Sequence, residues 1–155
     1  MNLGRCRGER GVVLAEFALI VPFLALMTFA TIDLGRVYTL QHRLANGARE
    51  GAVFAQYFPW HVSNASGAAV CADPDNVKYH ALNEDRGTTS GFTVKVTNVA
   101  TGAEITDACT APGPAVGTTI KVTVTGDFTP LTFFAKQFIG SPAKIRESAV
   151  VVVQG

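Results

Sequence analysis

The sequence predicts an α+β protein in which a long N-terminal helix, membrane-spanning in its first half, packs on a small antiparallel β-sheet. Three observations predict it. From Phe17 to Ile32 there is no charged residue, and every helical face is apolar. Beyond Asp33, the residues Val37, Leu40, Leu44, Ala48, Gly51 and Ala55 recur every three or four positions, the period of a helix with one apolar stripe. Further on, Phe92–Val99 and Thr119–Thr125 alternate apolar residues with Thr and Lys, the period of strands with one wet face. Composition agrees, because 155 residues with 48% hydrophobic and only 16% charged can bury enough surface to order the chain. A net charge of +1 lacks the basic excess that phosphate neutralisation requires, which sets nucleic acid aside as a partner.

Taken in order, Val12 to Ile32 spans about 30 Å as a helix at ~1.5 Å per residue, the thickness of a bilayer's hydrocarbon. Arg5, Arg7 and Arg10 precede it against a lone Glu9, so the positive-inside bias places the N-terminus in the cytoplasm. Residues 33–58 continue the helix out of the membrane, with no proline before Pro59. The stripe shrinks there from Leu to Ala and Gly, so a packing partner comes close to the backbone. Gly35, Gly47 and Gly51 each lower intrinsic helix stability by about 1 kcal/mol, and tertiary contacts must support the segment. Asp33 and Arg36 are spaced to pair on the exiting turn, a small contribution where solvated.

Residues 59–155 form a β-rich region. Turn-rich sequence at 63–67 and 71–76 leads to a short helix expected over Val77–Arg86. Phe92, Val94 and Val96, with Ile120, Val122 and Val124, face the core. Thr101-Gly102 and Ala111-Pro-Gly-Pro114 are turn signals, and Lys144–Val153 reads as a last strand, covered on both faces.

The run Arg10-Gly11-Val12-Val13-Leu14-Ala15-Glu16-Phe17, ahead of an apolar helix containing Pro22, resembles the N-terminus of a type IV prepilin or pseudopilin. The resemblance sharpens with Glu16-Phe17-Ala18-Leu19, Asp33-Leu34-Gly35-Arg36 and Ala48-Arg49-Glu50-Gly51-Ala52, which are similar to TadE-like pseudopilins of the tight-adherence (Tad, or Flp) pilus system. Asp33 stands where that family often has glutamate. The resemblance implies a pilin-like fold and a leader of residues 1–11, cut between Gly11 and Val12 by a membrane-embedded prepilin peptidase. It implies a noncatalytic minor pilin or pseudopilin, held single-pass in a bacterial inner membrane with its C-terminal domain periplasmic. A TadF-like pseudopilin and the major Flp pilin are the other implied partners, in a hetero-oligomer. The competing class is an exported or anchored binding domain or small enzyme behind a conventional signal, which Glu16 inside the apolar block would impede.

After such a cut Val12 carries a free ammonium, and Glu16 lies about 6 Å along the axis from it. A neighbouring helix displaced by that distance sets its ammonium beside the Glu16 carboxylate. Each burial cost then falls by pairing, and two helices acquire a register, so Glu16 is the expected assembly residue. Leu40, Leu44, Ala48, Gly51 and Ala55 are the expected helix interface.

Loss of a leader containing Cys6 leaves Cys71 and Cys109, in loop-like sequence beyond the membrane, as a disulfide pair. Metal binding by these cysteines with His61 or His80 lacks any Cys-x-x-Cys or His-x-x-x-His spacing. Asp73-Pro74-Asp75-Asn76 offers oxygen ligands without the twelve-residue loop a calcium site uses. Glu84-Asp85 reads as a solvated turn, and Asn64-Ala65-Ser66 fits a glycosylation sequon by a short match. His42, His61 and His80 are scattered, and no nucleophile elbow, Walker or dinucleotide motif occurs, so no catalytic residue, metal or cofactor is assigned.

Overall fold

The computed structural model describes residues 6–64, 67–83, 91–106, 108–110 and 112–154, without the side chains of residues 6–10 and Phe134. Glu84-Asp85, Ala65 and Ser66 of the sequon, and Arg5 of the basic leader lie outside them. Helix α1 runs unbroken over Cys6–Tyr57, and helix α2 spans Val77–Asn83 after a 3-10 turn at Ala69–Cys71. Strands β1 (Thr93–Asn98) and β2 (Thr119–Phe128), helix α3 (Phe133–Ile139) and strand β3 (Ala143–Val152) complete the chain.

The three strands form one antiparallel sheet in the order β1-β2-β3. Val96 lies opposite Val122, and Val122 opposite Ala149, so the apolar positions of all three strands share one face. The second half of α1 lies across that face, with Leu44, Ala48, Ala52 and Ala55 buried against Val96, Ile120, Val122 and Val124. This is the α+β arrangement the two sequence periods predict. Of the six expected inward strand residues, Val96, Ile120, Val122 and Val124 are fully buried, while Phe92 and Val94 are half-buried at the margin.

The small residues of α1 are explained by α2. A Cβ on Gly47 would overlap the Ala81 carbonyl oxygen, and one on Gly51 would stand 2.9 Å from the Ala81 Cβ and 3.3 Å from Val122 Cγ1. Glycine lets a helix and a strand approach α1 together. Asn76 starts α2 as its N-cap. It accepts the Tyr79 N–H at 2.7 Å, and donates to the Asp73 carboxylate at 2.7 Å and the Cys71 carbonyl at 3.2 Å. The oxygen-rich Asp73–Asn76 stretch is thus tied up in a helix cap. The Val77 and Lys78 N–H groups donate to the carbonyls of His61 and Val62.

Two expectations need correction. The last strand is not covered on both faces: its residues alternate between half-buried and exposed, with Val150 and Val152 outward, because α1 occupies one side of the sheet. The second strand runs three residues past Thr125, to Phe128. The short helix expected over Val77–Arg86 is described to Asn83, and residues 84–90 lie outside the described residues.

Candidate membrane and assembly site

Every residue from Gly11 to Ile32 is exposed, including Phe17, Phe23, Leu24 and Phe29, so nothing among the described residues covers the apolar run. Surface of this extent on a soluble protein marks an interaction with lipid or another protein. Among the described residues one helix, Gly11–Tyr57, is long and apolar enough to cross a membrane, and it is compatible with single-pass anchoring.

The polar atoms of this stretch are handled as an apolar solvent requires. The Thr28 and Thr31 hydroxyls donate to the carbonyls of Leu24 and Met27, each at 2.9 Å, so neither needs water. Pro22 sits within the helix without ending it. Glu16 is the exception, an exposed carboxylate. It lies about 25 Å along the axis from Asp33, at ~1.5 Å per residue. Gly11, exposed within α1, has open space around its Cβ position.

Where the apolar run ends, the chain folds back onto it. Asp33 is buried, and its carboxylate accepts the Thr132 hydroxyl at 2.6 Å, the Thr132 N–H at 3.0 Å and the Leu131 N–H at 2.9 Å. These bonds, the Thr132 hydroxyl foremost, hold its pKa down to about 2 against an ordinary 3.8, with a smaller pull from Arg36. Arg36 donates to Asp33 and to the Thr129 carbonyl, both at 3.3 Å, and lies 5.4 Å from the centre of the Phe128 ring. The solvated Asp33–Arg36 pair expected from spacing is therefore part of a long-range junction. Sequence spacing shows the pair but not the partner loop, about a hundred residues away. Helix α3, which follows that loop, has no clear signature either, because Phe133–Ile139 is a short apolar run without a complete helical stripe.

The expected interface residues divide by depth. Leu44, Ala48, Gly51 and Ala55 are buried inside the domain, and Leu40 is half-buried beside them, so this stripe is core and not an outward surface. Cys71 and Cys109 are buried and joined by a disulfide, Cα atoms 5.3 Å apart. His61 stacks on Phe58 and His80 on Phe54, rings of one aromatic cluster, while His42 meets Tyr38 edge-on. The structure therefore forms the disulfide and buries the helix stripe, and leaves Gly11, Val12 and Glu16 on the exposed half of α1.

That exposed half, its Asp33 junction and the start of the buried stripe are one continuous segment of sequence. Residues 11–53 match the TadE-like protein family. No curated protein and no solved structure matches the chain. The TadE-like segment begins at Gly11, immediately before the candidate cleavage bond, and ends within the glycine-rich contact with α2. It thus contains the whole apolar run together with Glu16, Asp33 and Arg36. The strands and α3 lie outside the TadE-like match and are bound to it through Asp33 and through the buried faces of Leu44 and Ala48.

Proposed function

We propose that the protein is a noncatalytic minor pilin or pseudopilin of a Tad pilus or related secretion apparatus, made with a leader and cut between Gly11 and Val12. The observation that carries this reading is the continuity of α1. One helix extends from an uncovered apolar half, fit for a membrane or the core of a helical fibre, into a half that forms the core of a folded domain. Such a helix delivers its domain to a fixed distance from the bilayer without a hinge. The TadE-like match over residues 11–53 supports the pilus assignment.

In this reading residues 12–32 span the inner membrane, residues 33–58 carry the helix into the periplasm and residues 59–155 complete the domain. The disulfide between Cys71 and Cys109 accords with an oxidising compartment. Partners are the prepilin peptidase, a TadF-like pseudopilin and the major Flp pilin. Glu16, far along α1 from its own domain, is left to pair with the Val12 ammonium of an adjacent subunit. Mass spectrometry of the mature N-terminus tests the reading. A chain starting at Val12 is expected; one starting near Thr31 would mean export behind an ordinary signal, and an intact Met1 would mean a plain anchor.

A further inference from the structure

The connection between β2 and β3, residues 129–142, lies at the end of the sheet nearest the apolar run. Phe128 and Ala143 are the last pair before it, and Asp33 binds it at Leu131 and Thr132. Asp33 is the first residue after the stretch that crosses the membrane in the reading above, so the connection is fixed at the depth where α1 leaves the bilayer.

Its surface is unlike that of a solvated loop. Leu131 is 60% exposed, Phe138 86% and Ile139 63%. The only charge in the segment is a cation, Lys136, exposed on α3. Between α3 and α1 runs an open groove of about 540 Å³, lined by Phe23, Met27, Leu34, Phe128, Ala135 and Ile139 among others. One wall is the last part of the apolar run itself, and that wall must face lipid if α1 spans a bilayer. The groove and α3 continue that apolar surface sideways, and the polar residues of the lining, Asp33 and Thr132, are hydrogen-bonded to each other.

We propose that α3 and its flanks lie in the membrane interface, with Phe138 and Ile139 among lipid acyl chains that also fill the groove, and Lys136 reaching the phosphate layer. Two observations favour lipid over a protein partner: the groove is continuous with the membrane-facing side of α1, and the sole charge of the segment has the sign that complements phosphate headgroups. Amphipathic segments of this kind sit about 5–10 Å into the boundary between headgroups and chains, and a long cationic side chain spans that depth. The domain is then held to the bilayer at two points, α1 and α3, which fixes its tilt. This rests on the membrane-spanning reading of α1.

The test uses the full chain in nanodiscs of phosphatidylcholine and phosphatidylglycerol, without quencher, with lipid carrying a doxyl quencher near the headgroup end of its chains for positions 138 and 139, and with lipid carrying it near the methyl end for position 23, which lies mid-span. Phe138→Trp and Ile139→Trp report on α3, Phe23→Trp reports on the span, and the emission of Trp60 in the unsubstituted protein is subtracted. The expected result is that an added tryptophan at 138 or 139 emits to the blue and loses about half or more of its emission to the quencher, as interfacial burial requires. Quenching at position 23 with none at 138 and 139 overturns the proposal while leaving the span intact, and assigns this face to water or to a protein partner. Absence of quenching at all three positions overturns the membrane-spanning reading as well.

Discussion

Asp33 and Thr132 stand 99 positions apart in sequence and share two hydrogen bonds, 2.6 Å from the Thr132 hydroxyl and 3.0 Å from its N–H. The first residue beyond the apolar run thus fixes the loop leading into α3. This carboxylate adds a long-range tie between the end of the apolar run and the β2–β3 connection to the continuity of α1 itself.

The depressed pKa gives the junction a pH window. An aspartate with a folded pKa of about 2 and an ordinary value of 3.8 is charged in both states above about pH 5, where its stabilisation is complete. Stabilisation declines as pH falls from near 4 toward 2, because protonation is opposed only in the folded form. Amide hydrogen exchange at Leu131 and Thr132 should therefore accelerate, relative to β2, across that interval. Asp33→Asn, which turns an NH2 group toward N–H and O–H donors, should give fast exchange at these amides at neutral pH and abolish the pH step. An unchanged step in the variant would assign it to another group.

The glycines of α1 make opposite predictions. Gly47→Ala drives a methyl into the Ala81 carbonyl, a backbone atom that cannot swing aside, and should destabilise the domain by about 1–3 kcal/mol. Gly35→Ala meets open space on the same helix and should stabilise it by up to about 1 kcal/mol. Thermal unfolding of the two variants in one detergent checks the signs. If both substitutions stabilise, α2 does not pack on Gly47.

The outline of this fold was legible because its two halves have clean periods. Leu44, Ala48 and Ala55 mark one face of a helix, and Val122 and Val124 one face of a strand, and each face needs the other. The close approach at Gly51 was legible too, as shrinking residue size, though nothing local named Ala81 as one of the neighbours. Strand β3 misled because Ala149, Val150, Val151 and Val152 are apolar at successive positions, hiding an alternation that only the placement of α1 reveals. The Asp33 junction was beyond reach, since local spacing pairs Asp33 with Arg36 and carries no information about Thr132. In the candidate site, Gly11, Val12 and Glu16 are proposed from the motif alone, and the structure adds only that they are exposed on α1.

The Cys71–Cys109 bond closes a separation of 38 residues, so in the loop-entropy account it contributes about 3 to 4 kcal/mol. It ties the turn before α2 to the chain between β1 and β2, stretches with little regular structure of their own. The double variant Cys71→Ala/Cys109→Ala should lower the unfolding midpoint of the domain by more than about 10 °C. Dithiothreitol should lower the wild-type midpoint similarly and leave the double variant unmoved. Equal midpoints with and without reductant in the wild type would show that the bond adds nothing.

Glu16 offers the most direct test of assembly. A carboxylate inside a span costs about 2.5 to 3.5 kcal/mol at its centre on insertion scales, and less near the end, so Glu16→Gln should insert at least as well as the wild type. If an adjacent subunit presents its Val12 ammonium about 6 Å along the axis, the neutral amide loses the charge pairing that sets the register. The expected outcome is a variant at wild-type abundance in the membrane, cut normally after Gly11, yet depleted from sheared fibres or from complexes crosslinked with the major pilin. Retention in those fractions at the wild-type level, with normal cutting, would reject the pairing. Coexpression with wild type sharpens the measurement, because a subunit that cannot donate the carboxylate can still donate its ammonium and should enter beside wild-type neighbours more often than beside its own copies.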